Sequence, residues 1–434
     1  MLETMKVHLI GVGGIGVSAL ARYFLSLGAK VSGSDEQESE LTSELISEGV
    51  TFNLKPKSKV ITKDLDLVIH SAAIEPTNLE LVAARTMGLR CSSYAEAVGE
   101  LTKSFFTIAV SGSHGKSTTT AMIALILVAA GMDPTVIVGT KLAEFGGKNF
   151  RAGKSKYLVL EADEYNRSFH NYRPQVAVVT NIDREHLDTY KTLRGVVGGF
   201  ASYLNLLPKN GVFIGNYADR NVRTAALGVL ARKFWFNREK FKKRKLLISG
   251  WHNQLNAEAA ATAARELGVS DVVIEKSLRN FCGTWRRMEE LQVTATGFKA
   301  KIFSDYAHHP TEIMATLQAL REKYPERFLV CVFQPHQQDR LNRIFDLFLT
   351  AFNVADVVII LPVYVVAGRE KKAKKTSLDL TRAMRQKNVF YATDFRIATH
   401  LATPYFFKKS VIVFMGAGDI DAQARELLTP AQKS

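Results

Sequence analysis

The sequence predicts an α/β protein of several domains, each built on a mainly parallel sheet with helices on both faces. Short apolar runs rich in β-branched residues alternate with helical patterns along most of the chain, and buried parallel strands have that composition. Two glycine-rich loops each join such a run to a helix. The length of 434 residues corresponds to about three domains at roughly 150 residues each.

The order of the predicted elements places two domain boundaries. Buried strands are expected at Val7–Ile10, Leu67–Ile69, Phe106–Val110, Leu158–Leu160, Val176–Val179, Phe328–Val332, Val357–Leu361 and Val411–Phe414. A helix over Tyr94–Thr102 precedes a strand that starts a second βα unit. A third α/β pattern begins after Arg286–Leu291 with two short strands, Glu290–Thr294 and Phe298–Phe303. The expected domains are therefore 1–103, 104–288 and 289–434.

Composition and charge narrow the classes of partner. The 57 Lys and Arg residues exceed the 42 Asp and Glu residues by 15, which favours polyanionic partners such as nucleic acid, a membrane surface or phosphorylated small molecules. The three cysteines, Cys91, Cys282 and Cys331, form no CxxC pair, so a reducing compartment is expected. No signal peptide and no apolar run of about 18 residues is visible, so we expect a cytoplasmic protein without a membrane-spanning segment.

The first glycine loop has the pattern of a diphosphate-binding turn. It lies between a strand and a predicted helix over Val17–Leu27, and its glycines are Gly11, Gly13, Gly14 and Gly16. Glycines let backbone N–H groups approach a pyrophosphate at the positive end of the helix. One interpretation is NAD, with Asp35 at the end of the second strand on a ribose. The motif specifies a diphosphate more firmly than a nicotinamide.

The second glycine loop, 111–118, is typical of nucleoside triphosphate binding. It joins a strand to a predicted helix over Thr119–Ala130, with Lys116 placed to hold the β- and γ-phosphates and a hydroxyl to hold Mg²⁺. Its spacing is the shorter GxxGK[ST] form, because Val110 stands where the longer pattern has its first glycine. Two phosphate loops indicate two phosphorylated ligands. This weakens the interpretation as an NAD-dependent dehydrogenase, which needs only one.

Two polar clusters follow further predicted strands of the second domain. Glu161, Asp163 and Glu164 come directly after one strand, and a second cluster that includes His186 comes after the next. Ligand sites of open α/β sheets lie at that edge. We therefore expect Glu161 and His186 to converge on metal ions near the nucleotide. Carboxylate and phosphate oxygens favour Mg²⁺, although histidine is a less usual ligand for it.

Together these motifs resemble those of the Mur ligases, the ATP-dependent amide-forming enzymes of peptidoglycan precursor synthesis. The similarity covers essentially the whole chain. Besides the two glycine loops it is carried, in the family order, by Ser32–Asp35, Glu161–Tyr165, Thr180–Tyr190, His252–Ala257, Arg286–Arg287, Asp305–Glu312, Phe333–Arg340 and Gly416–Asp419. Within the family, the motifs are most similar to those of the members that act on UDP-N-acetylmuramate and L-alanine.

The resemblance implies a three-domain Mur ligase architecture. It comprises a Rossmann-like N-terminal domain for the UDP sugar, a P-loop-type central ATPase domain and a Rossmann-like C-terminal domain for the amino acid. It also implies that L-alanine is joined to the carboxylate of UDP-N-acetylmuramate through an acyl phosphate, with ATP and Mg²⁺ as cofactors. The alternative is a related ligase that adds a different amino acid or a peptide to a UDP-muramyl substrate.

The resemblance also implies roles for individual residues. The ATP-binding set is Gly112, Ser113, His114, Gly115, Lys116, Ser117, Thr118, Asn253, Asn256, Arg287 and Asp305. The UDP-sugar set is Gly11, Gly13, Gly14, Ile15, Gly16, Asp35 and Ser71. The metal ligands are Ser117 and Glu161 for Mg²⁺ and His186 for a second metal, and the amino-acid side is His309, His336 and Arg340. The catalytic set is Lys116, Glu161, His186, Arg287, Asp305 and His309.

Several segments depart from the family pattern. The stretch from Asp219 to His252 is short, and the basic runs Arg238–Lys245 and Arg369–Lys375 are most simply interpreted as solvated faces. Gln337 stands where many relatives have arginine, which leaves the identity of the amino acid open.

The rival class is a nucleotide-sensing or nucleic-acid-binding protein with a decayed active site. A nucleic-acid partner is not favoured, because only Phe241 interleaves the first basic run, whereas a nucleic-acid groove uses several aromatic side chains. The expected partners are therefore small molecules, and the expected state is a monomer or a weak homodimer.

Overall fold

A computed structural model of the chain describes residues 5–237, 243–292, 298–365 and 374–428. The chain divides into two compact units. The first unit is formed by 1–245 together with 255–280, and the second by 246–254 together with 281–434. The described strands form three sheets, two in the first unit and one in the second. The predicted α/β class is confirmed.

The first sheet of the first unit surrounds the first glycine loop. Its elements are β1 (Lys6–Ile10), α1 (Ile15–Ser26), β2 (Lys30–Asp35), α2 (Glu40–Ser47), β3 (Thr51–Leu54), β4 (Leu67–His70), α3 (Leu79–Thr86), β5 (Cys91–Ser93) and α4 (Tyr94–Ser104). All five strands are parallel, in the order β3-β2-β1-β4-β5. The strand order reverses between β1 and β4, and ligands of such sheets bind beyond the carboxyl ends of the strands at that point.

The second sheet surrounds the second glycine loop. Its elements are β6 (Phe106–Ser111), α5 (Lys116–Ala129), β7 (Thr135–Leu142), β8 (Lys148–Arg151), β9 (Tyr157–Glu161), β10 (Val176–Val179), α6 (Leu187–Tyr190), α7 (Leu193–Leu204), β11 (Val212–Asn216), α8 (Arg220–Ala225) and β12 (Arg232–Phe236), followed along the chain by α9 (Trp251–Glu266) and α10 (Asp271–Asn280). The strand order is β12-β11-β10-β6-β9-β7-β8, with β8 antiparallel to β7. Since β6 lies between β9 and β10, the segments after these three parallel strands leave the same edge of the sheet.

The sheet of the second unit places three polar segments together. Its elements are β13 (Glu289–Glu290), β14 (Lys301–Asp305), α11 (Pro310–Lys323), β15 (Phe328–Phe333), α12 (Gln338–Arg343), α13 (Phe345–Ala351), β16 (Val357–Ile360), α14 (Ser377–Ala383), β17 (Val389–Tyr391), α15 (Phe395–Phe406), β18 (Ser410–Met415) and α16 (Ile420–Leu428). The order is β13-β14-β18-β15-β16-β17, and among the described strands of this sheet only β13 and β14 pair in an antiparallel sense. The segments after β14, β15 and β18 therefore leave one edge.

Every buried strand that we predicted is observed, with ends that differ by at most one residue. The strand expected at Phe298 begins only at Lys301, because the N–H groups of Lys299 and Ala300 both donate to the Phe406 carbonyl at the end of α15. The other short strand is reduced to Glu289–Glu290, and residues 293–297 lie outside the described residues. The helices after the glycine loops start earlier than predicted, because each begins directly after a loop glycine.

The structure describes only part of the two basic runs, Arg238–Lys245 and Arg369–Lys375, since 238–242 and 369–373 lie outside the described residues. Within the first run, Arg244 does not form the solvated face that we expected. Its guanidinium is 6% exposed and pairs with Glu258 and, at 3.0 Å, with Glu275. At least one positive charge of this basic run therefore forms ion pairs within the first unit. In the part of the chain that the structure covers, no helix is long and apolar enough to cross a membrane.

Candidate active site

The loop between β6 and α5 needs glycine at two positions. Gly112 has φ +133° and Gly115 has φ +81°, and both angles lie in the region that favours glycine. A Cβ at Gly112 would overlap Thr180 Oγ1, and a Cβ at Gly115 would overlap Asn256 Oδ1. Asn256, a member of the predicted ATP-binding set, therefore lies directly against the phosphate loop.

The segment after β10 holds this loop in place. The Asn181 side chain accepts from the His114 N–H and donates to the His114 carbonyl, both at 2.9 Å. The Thr180 hydroxyl donates to the same carbonyl at 2.6 Å, and the Asp183 N–H donates to Ser113 Oγ at 2.8 Å. Sequence reasoning grouped this segment with the metal motifs, but most of its polar groups hold the loop. Thr118, also assigned to ATP, is buried in the first turn of α5.

Lys116 lies among three carboxylates. Its Nζ donates to the Gly112 carbonyl at 2.8 Å and to Glu164 Oε2 at 2.9 Å, and it is 3.7 Å from Asp163 Oδ1. Burial alone would lower the pKa of Lys116, but the attraction of Glu164, Asp163 and Glu161 raises it above the ordinary lysine value. The lysine is therefore a fixed cation at the start of α5. Burial raises the pKa of Glu164, and the Lys116 charge opposes that rise only in part.

Ser117 and Glu161 form a second pair beside the loop. Ser117 Oγ donates to Glu161 Oε1 at 3.0 Å, and the Gly139 N–H donates to Glu161 Oε2 at 2.7 Å. Burial raises the pKa of Glu161 above its ordinary value, because the ionised carboxylate is poorly solvated there. A bound cation would stabilise this ionised form. A hydroxyl and a carboxylate oxygen side by side form the donor set of a hard cation such as Mg²⁺.

His186, which we expected to support a second metal, lies in a donor set separate from that of Ser117 and Glu161. Its Nε2 is 3.7 Å from Glu164 Oε1 and 3.9 Å from Asp163 Oδ1. One ligand atom from each of these three side chains lies within 4.8 Å of the others, which can hold one metal ion. The backbone of His186 has φ +52°, a turn conformation that side-chain patterns do not reveal. Asp163 and Glu164 were absent from our ligand set, although they follow Glu161 in the same cluster.

The first glycine loop closes on the ends of two strands. The N–H groups of Gly11 and Val12 donate to the Ser34 carbonyl at 2.8 and 3.0 Å, and Gly11 has φ +79°. The Gly13 N–H donates to Asp35 Oδ2 at 2.8 Å. A Cβ on Gly11 would be 3.1 Å from Ser71 Cβ. The structure thus brings Gly11, Asp35 and Ser71 together, but Asp35 already bonds the loop.

The rest of that loop leads into α1. Gly14 precedes the helix, Ile15 is its first residue, and a Cβ on Gly16 would touch the Tyr94 ring at 2.9 Å. The seven residues of the predicted UDP-sugar set therefore surround the strand-order reversal of the first sheet.

In the second unit, Asp305 is the buried carboxylate of the predicted site. It is 2% exposed, its Oδ1 accepts from the Ala307 N–H at 2.7 Å, and its Oδ2 accepts from the Met288 N–H at 2.8 Å. Burial raises the pKa of Asp305 to about 6, while the nearby Arg287 charge works in the opposite direction. The group is ionised near neutral pH and can accept hydrogen bonds there.

The three residues of the predicted amino-acid side, His309, His336 and Arg340, also lie in this unit. His309 is fully buried as the residue that caps α11. The His336 ring stacks on Tyr364 at 5.7 Å between centroids, and Arg340 donates to the His336 carbonyl at 3.2 Å. The Gln337 N–H donates to the Tyr364 carbonyl at 3.1 Å, with φ +65° at Gln337. Tyr364 was not predicted, because no motif marked it.

The start of α9 carries two further polar residues of this unit. Asn253 is mostly buried, and its Nδ2 donates to the Ser249 carbonyl at 2.7 Å. Burial, and then the charge of Arg287, lower the pKa of His252 to about 4, so its ring is neutral at physiological pH. His252 begins the motif His252–Ala257, but we predicted no role for it from the sequence.

Profiles of three domains match the chain in order. They are the Mur ligase family catalytic domain at residues 6–106, the Mur ligase middle domain at 110–245, and the Mur ligase glutamate ligase domain at 286–418. A curated relative, the UDP-N-acetylmuramate–L-alanine ligase of Desulforapulum autotrophicum, is 36% identical in a gapped alignment of 448 positions that covers 96% of this chain and 97% of the relative.

Two solved structures are similar over the whole chain. The UDP-N-acetylmuramate–alanine ligase of Thermotoga maritima is 25% identical with a TM-score of 0.81, covering 97% of this chain and 98% of that one. A murein peptide ligase from Psychrobacter arcticus shares the fold at 23% identity and a TM-score of 0.72, covering 98% of both chains. Since the three domain profiles match in order and a relative is 36% identical across 96% of the sequence, the chain belongs to the Mur ligase family.

Proposed function

We propose that this Mur ligase joins L-alanine to the carboxylate of UDP-N-acetylmuramate at the expense of ATP. The observation that carries the proposal is the 36% identity, over 96% of the chain, to a relative named for that reaction. The loop with Lys116, Ser117 and the neighbouring carboxylates supports the ATP half of the reaction.

The reaction divides into two transfers. A carboxylate oxygen of the sugar nucleotide attacks the γ-phosphorus of ATP, which forms an acyl phosphate and releases ADP. The amine of alanine then attacks the acyl carbon, inorganic phosphate leaves, and the amine loses a proton to give the amide. Phosphoryl transfer needs in-line positioning and neutralised oxygens. Lys116 suits this role, because its neighbours keep it charged at every physiological pH.

We further propose two sites for divalent cations. Ser117 and Glu161 would hold one ion beside the phosphates, and His186 with Asp163 and Glu164 would hold another. The donor sets fit Mg²⁺ at the first site and a cation that accepts a histidine nitrogen at the second. When bound, the ions supply positive charge to the phosphate oxygens. Ser117 and Glu161 would hold the first ion, and the Gly139 N–H fixes the position of the Glu161 carboxylate.

The remaining assignments are also proposals. Arg287 and Asp305 would bind phosphate and ribose groups of ATP, and Asn253 and Asn256 would contact the adenine. His309, His336 and Arg340 would face the amino acid, and the first glycine loop with Asp35 and Ser71 would bind the UDP sugar. We also propose a cytoplasmic protein that acts as a monomer or a weak homodimer, without nucleic acid as a partner. The structure shows no disulfide bond among Cys91, Cys282 and Cys331, which fits a reducing compartment.

A single experiment tests the central proposal. The purified chain is incubated with ATP, Mg²⁺, UDP-N-acetylmuramate and an equimolar mixture of alanine, serine, glycine and a tripeptide, and the product is identified by its mass. We expect the alanine adduct, with one ADP and one phosphate released per amide. A tripeptide or serine adduct would replace the alanine assignment, and no adduct with any acceptor would refute the proposed function.

A further inference from the structure

Glu312 makes a set of contacts that no motif role explains. It is the third residue of α11, and its side chain is 10% exposed. Its Oε1 accepts from Arg287 Nη1 at 3.2 Å. Its Oε2 accepts from the backbone N–H of His308 at 3.2 Å and from that of His309 at 3.4 Å.

The two carboxylate oxygens of Glu312 thus bind different parts of the second unit. Through Oε2, Glu312 completes the capping box at the start of α11 and fixes the two histidines of the segment after β14. The His308 ring in turn meets His336 edge to face at 5.8 Å between centroids. Through Oε1, Glu312 restrains a guanidinium that also lies over the Tyr306 ring at 5.2 Å. A planar carboxylate cannot move one oxygen without moving the other.

We propose that Glu312 is a positioning residue that sets Arg287, on the phosphate side, and the His308–His309 segment, on the amino-acid side, in one geometry. The inference rests on the proposed function, because that function assigns the two sides. Glu312 itself touches neither substrate. It acts by holding the groups that do.

We call the bond from Arg287 to Oε1 the Arg287 arm, and the bonds from the His308 and His309 N–H groups to Oε2 the histidine arm. The variant Glu312→Gln separates these two arms. Two backbone N–H groups require an acceptor, so the amide oxygen should face them and keep the cap. The NH₂ group then faces Arg287 and removes its charged acceptor. Hydrogen bonds to charged groups contribute about 1.5–3 kcal/mol, so we expect KM for ATP to rise by about tenfold or more. KM for alanine should stay within about twofold of the wild-type value.

Two further variants complete the test. Glu312→Ala removes both arms and should raise KM for ATP and KM for alanine together. Glu322→Gln removes a carboxylate from the exposed part of the same helix, where its partner is the Gln318 amide at 3.0 Å, and should leave both constants unchanged. KM for UDP-N-acetylmuramate should be constant throughout. Thermal unfolding of each variant shows whether it folds, and the glutamine variant keeps the test valid if the alanine variant does not.

The comparison of KM for ATP with KM for alanine shows whether Glu312 is a positioning residue. If Glu312→Gln changes both KM values equally, or neither, Glu312 is a structural residue only and the inference is wrong. Binding of a non-hydrolysable ATP analogue, measured by calorimetry, gives a readout that needs no turnover. A wild-type chain that binds the analogue but forms no amide would refute the proposed function. The ratio of analogue affinities between wild type and Glu312→Gln would then still test the Arg287 arm, and an unchanged ratio would overturn it.

Discussion

Lys116 and Glu164 form a buried ion pair, with Nζ 2.9 Å from Oε2 and the Glu164 side chain fully buried. The pair keeps the lysine charged at the start of α5, but it also directs that charge towards a carboxylate. A phosphate that binds to Lys116 must share it with Glu164. The same contact therefore affects both folding and nucleotide binding, and variants can separate the two effects.

Replacing Lys116 with Met should abolish turnover and destabilise the fold. The loss of one positioned charge at a phosphate should lower ADP release by at least about a hundredfold. Glu164 would remain buried without its cation, which typically costs about 3–5 kcal/mol of unfolding free energy. The double variant Lys116→Met with Glu164→Gln should recover most of that stability but none of the activity. Urea unfolding and an ADP-release assay check the two parts, and a double variant as unstable as the single one would contradict this explanation.

Gly115→Ala should impair ATP binding by more than its backbone strain explains. At φ +81° an alanine is strained by about 1–2 kcal/mol, and its Cβ would also overlap Asn256 Oδ1. The matched control is Gly131→Ala at the other end of α5, where φ is +73° and no atom lies within 4 Å of the new Cβ. Both variants should lose similar stability from strain, but only Gly115→Ala should weaken binding of an ATP analogue in calorimetry. Equal affinities in the two variants would show that the overlap relaxes without consequence.

The predictable part of this molecule follows from local chemistry. Buried parallel strands require apolar runs, so all eight strands that we predicted to be buried were found, and strand–loop–helix glycines marked both phosphate loops. The pairing of side chains was harder to predict. The sequence assigned His186 to a second metal, but it did not identify Asp163 and Glu164 as its neighbours, because the left-handed backbone conformation at His186 leaves no mark in the sequence.

Contacts between distant residues were not predictable either. Asn149 bonds Ile15 across 134 positions of sequence, and hydrophobic periodicity carries no information about such a pair. Glu312 belongs to the motif Asp305–Glu312, but its bond to Arg287 depends on how β14 and α11 pack in the folded unit. Tyr364 stacks on His336 only because β15 and β16 are neighbours in the sheet.

Asp305 should make stability depend on pH with an unusual sign for a carboxylate. Its folded pKa is about 6, above the ordinary value of about 3.9 expected in the unfolded chain. Its contribution is therefore fully present below about pH 4 and is lost as pH rises towards 6. The stability of the wild type relative to Asp305→Asn should fall over this range, by at most about 3 kcal/mol, and then become constant.

Urea unfolding of both proteins between pH 4 and 8 measures this difference. An exposed control is Asp379, whose pKa is lowered by hydrogen bonds from the Thr376 backbone N–H and hydroxyl. Its contribution has the opposite sign and is gained below about pH 4, so the stability of the wild type relative to Asp379→Asn should stay nearly constant above about pH 5. A pH-independent difference for Asp305→Asn would mean that Asp305 titrates normally in the folded protein.

Asn149 should link the first glycine loop to the second sheet. This fully buried residue of β8 donates through Nδ2 to the Ile15 carbonyl and, at 3.0 Å, to Ser18 Oγ, while its Oδ1 accepts from Arg22. Replacement with Leu keeps the volume but leaves these buried groups unpaired. Each unpaired group costs about 1–3 kcal/mol, so we expect a loss of about 3 kcal/mol in unfolding free energy.

The kinetic effect of Asn149→Leu should be selective. Since Ile15 is the first residue of α1, its displacement should raise KM for UDP-N-acetylmuramate several-fold and leave KM for ATP nearly unchanged. The control is Lys148→Ala in the same strand, which removes a 3.2 Å ion pair with Glu48 from a lysine that is 44% exposed. Exposed pairs contribute less than about 1 kcal/mol, so this variant should keep both stability and KM. If Asn149→Leu raises the two KM values in parallel, the contact stabilises the unit as a whole and does not position the UDP-sugar loop.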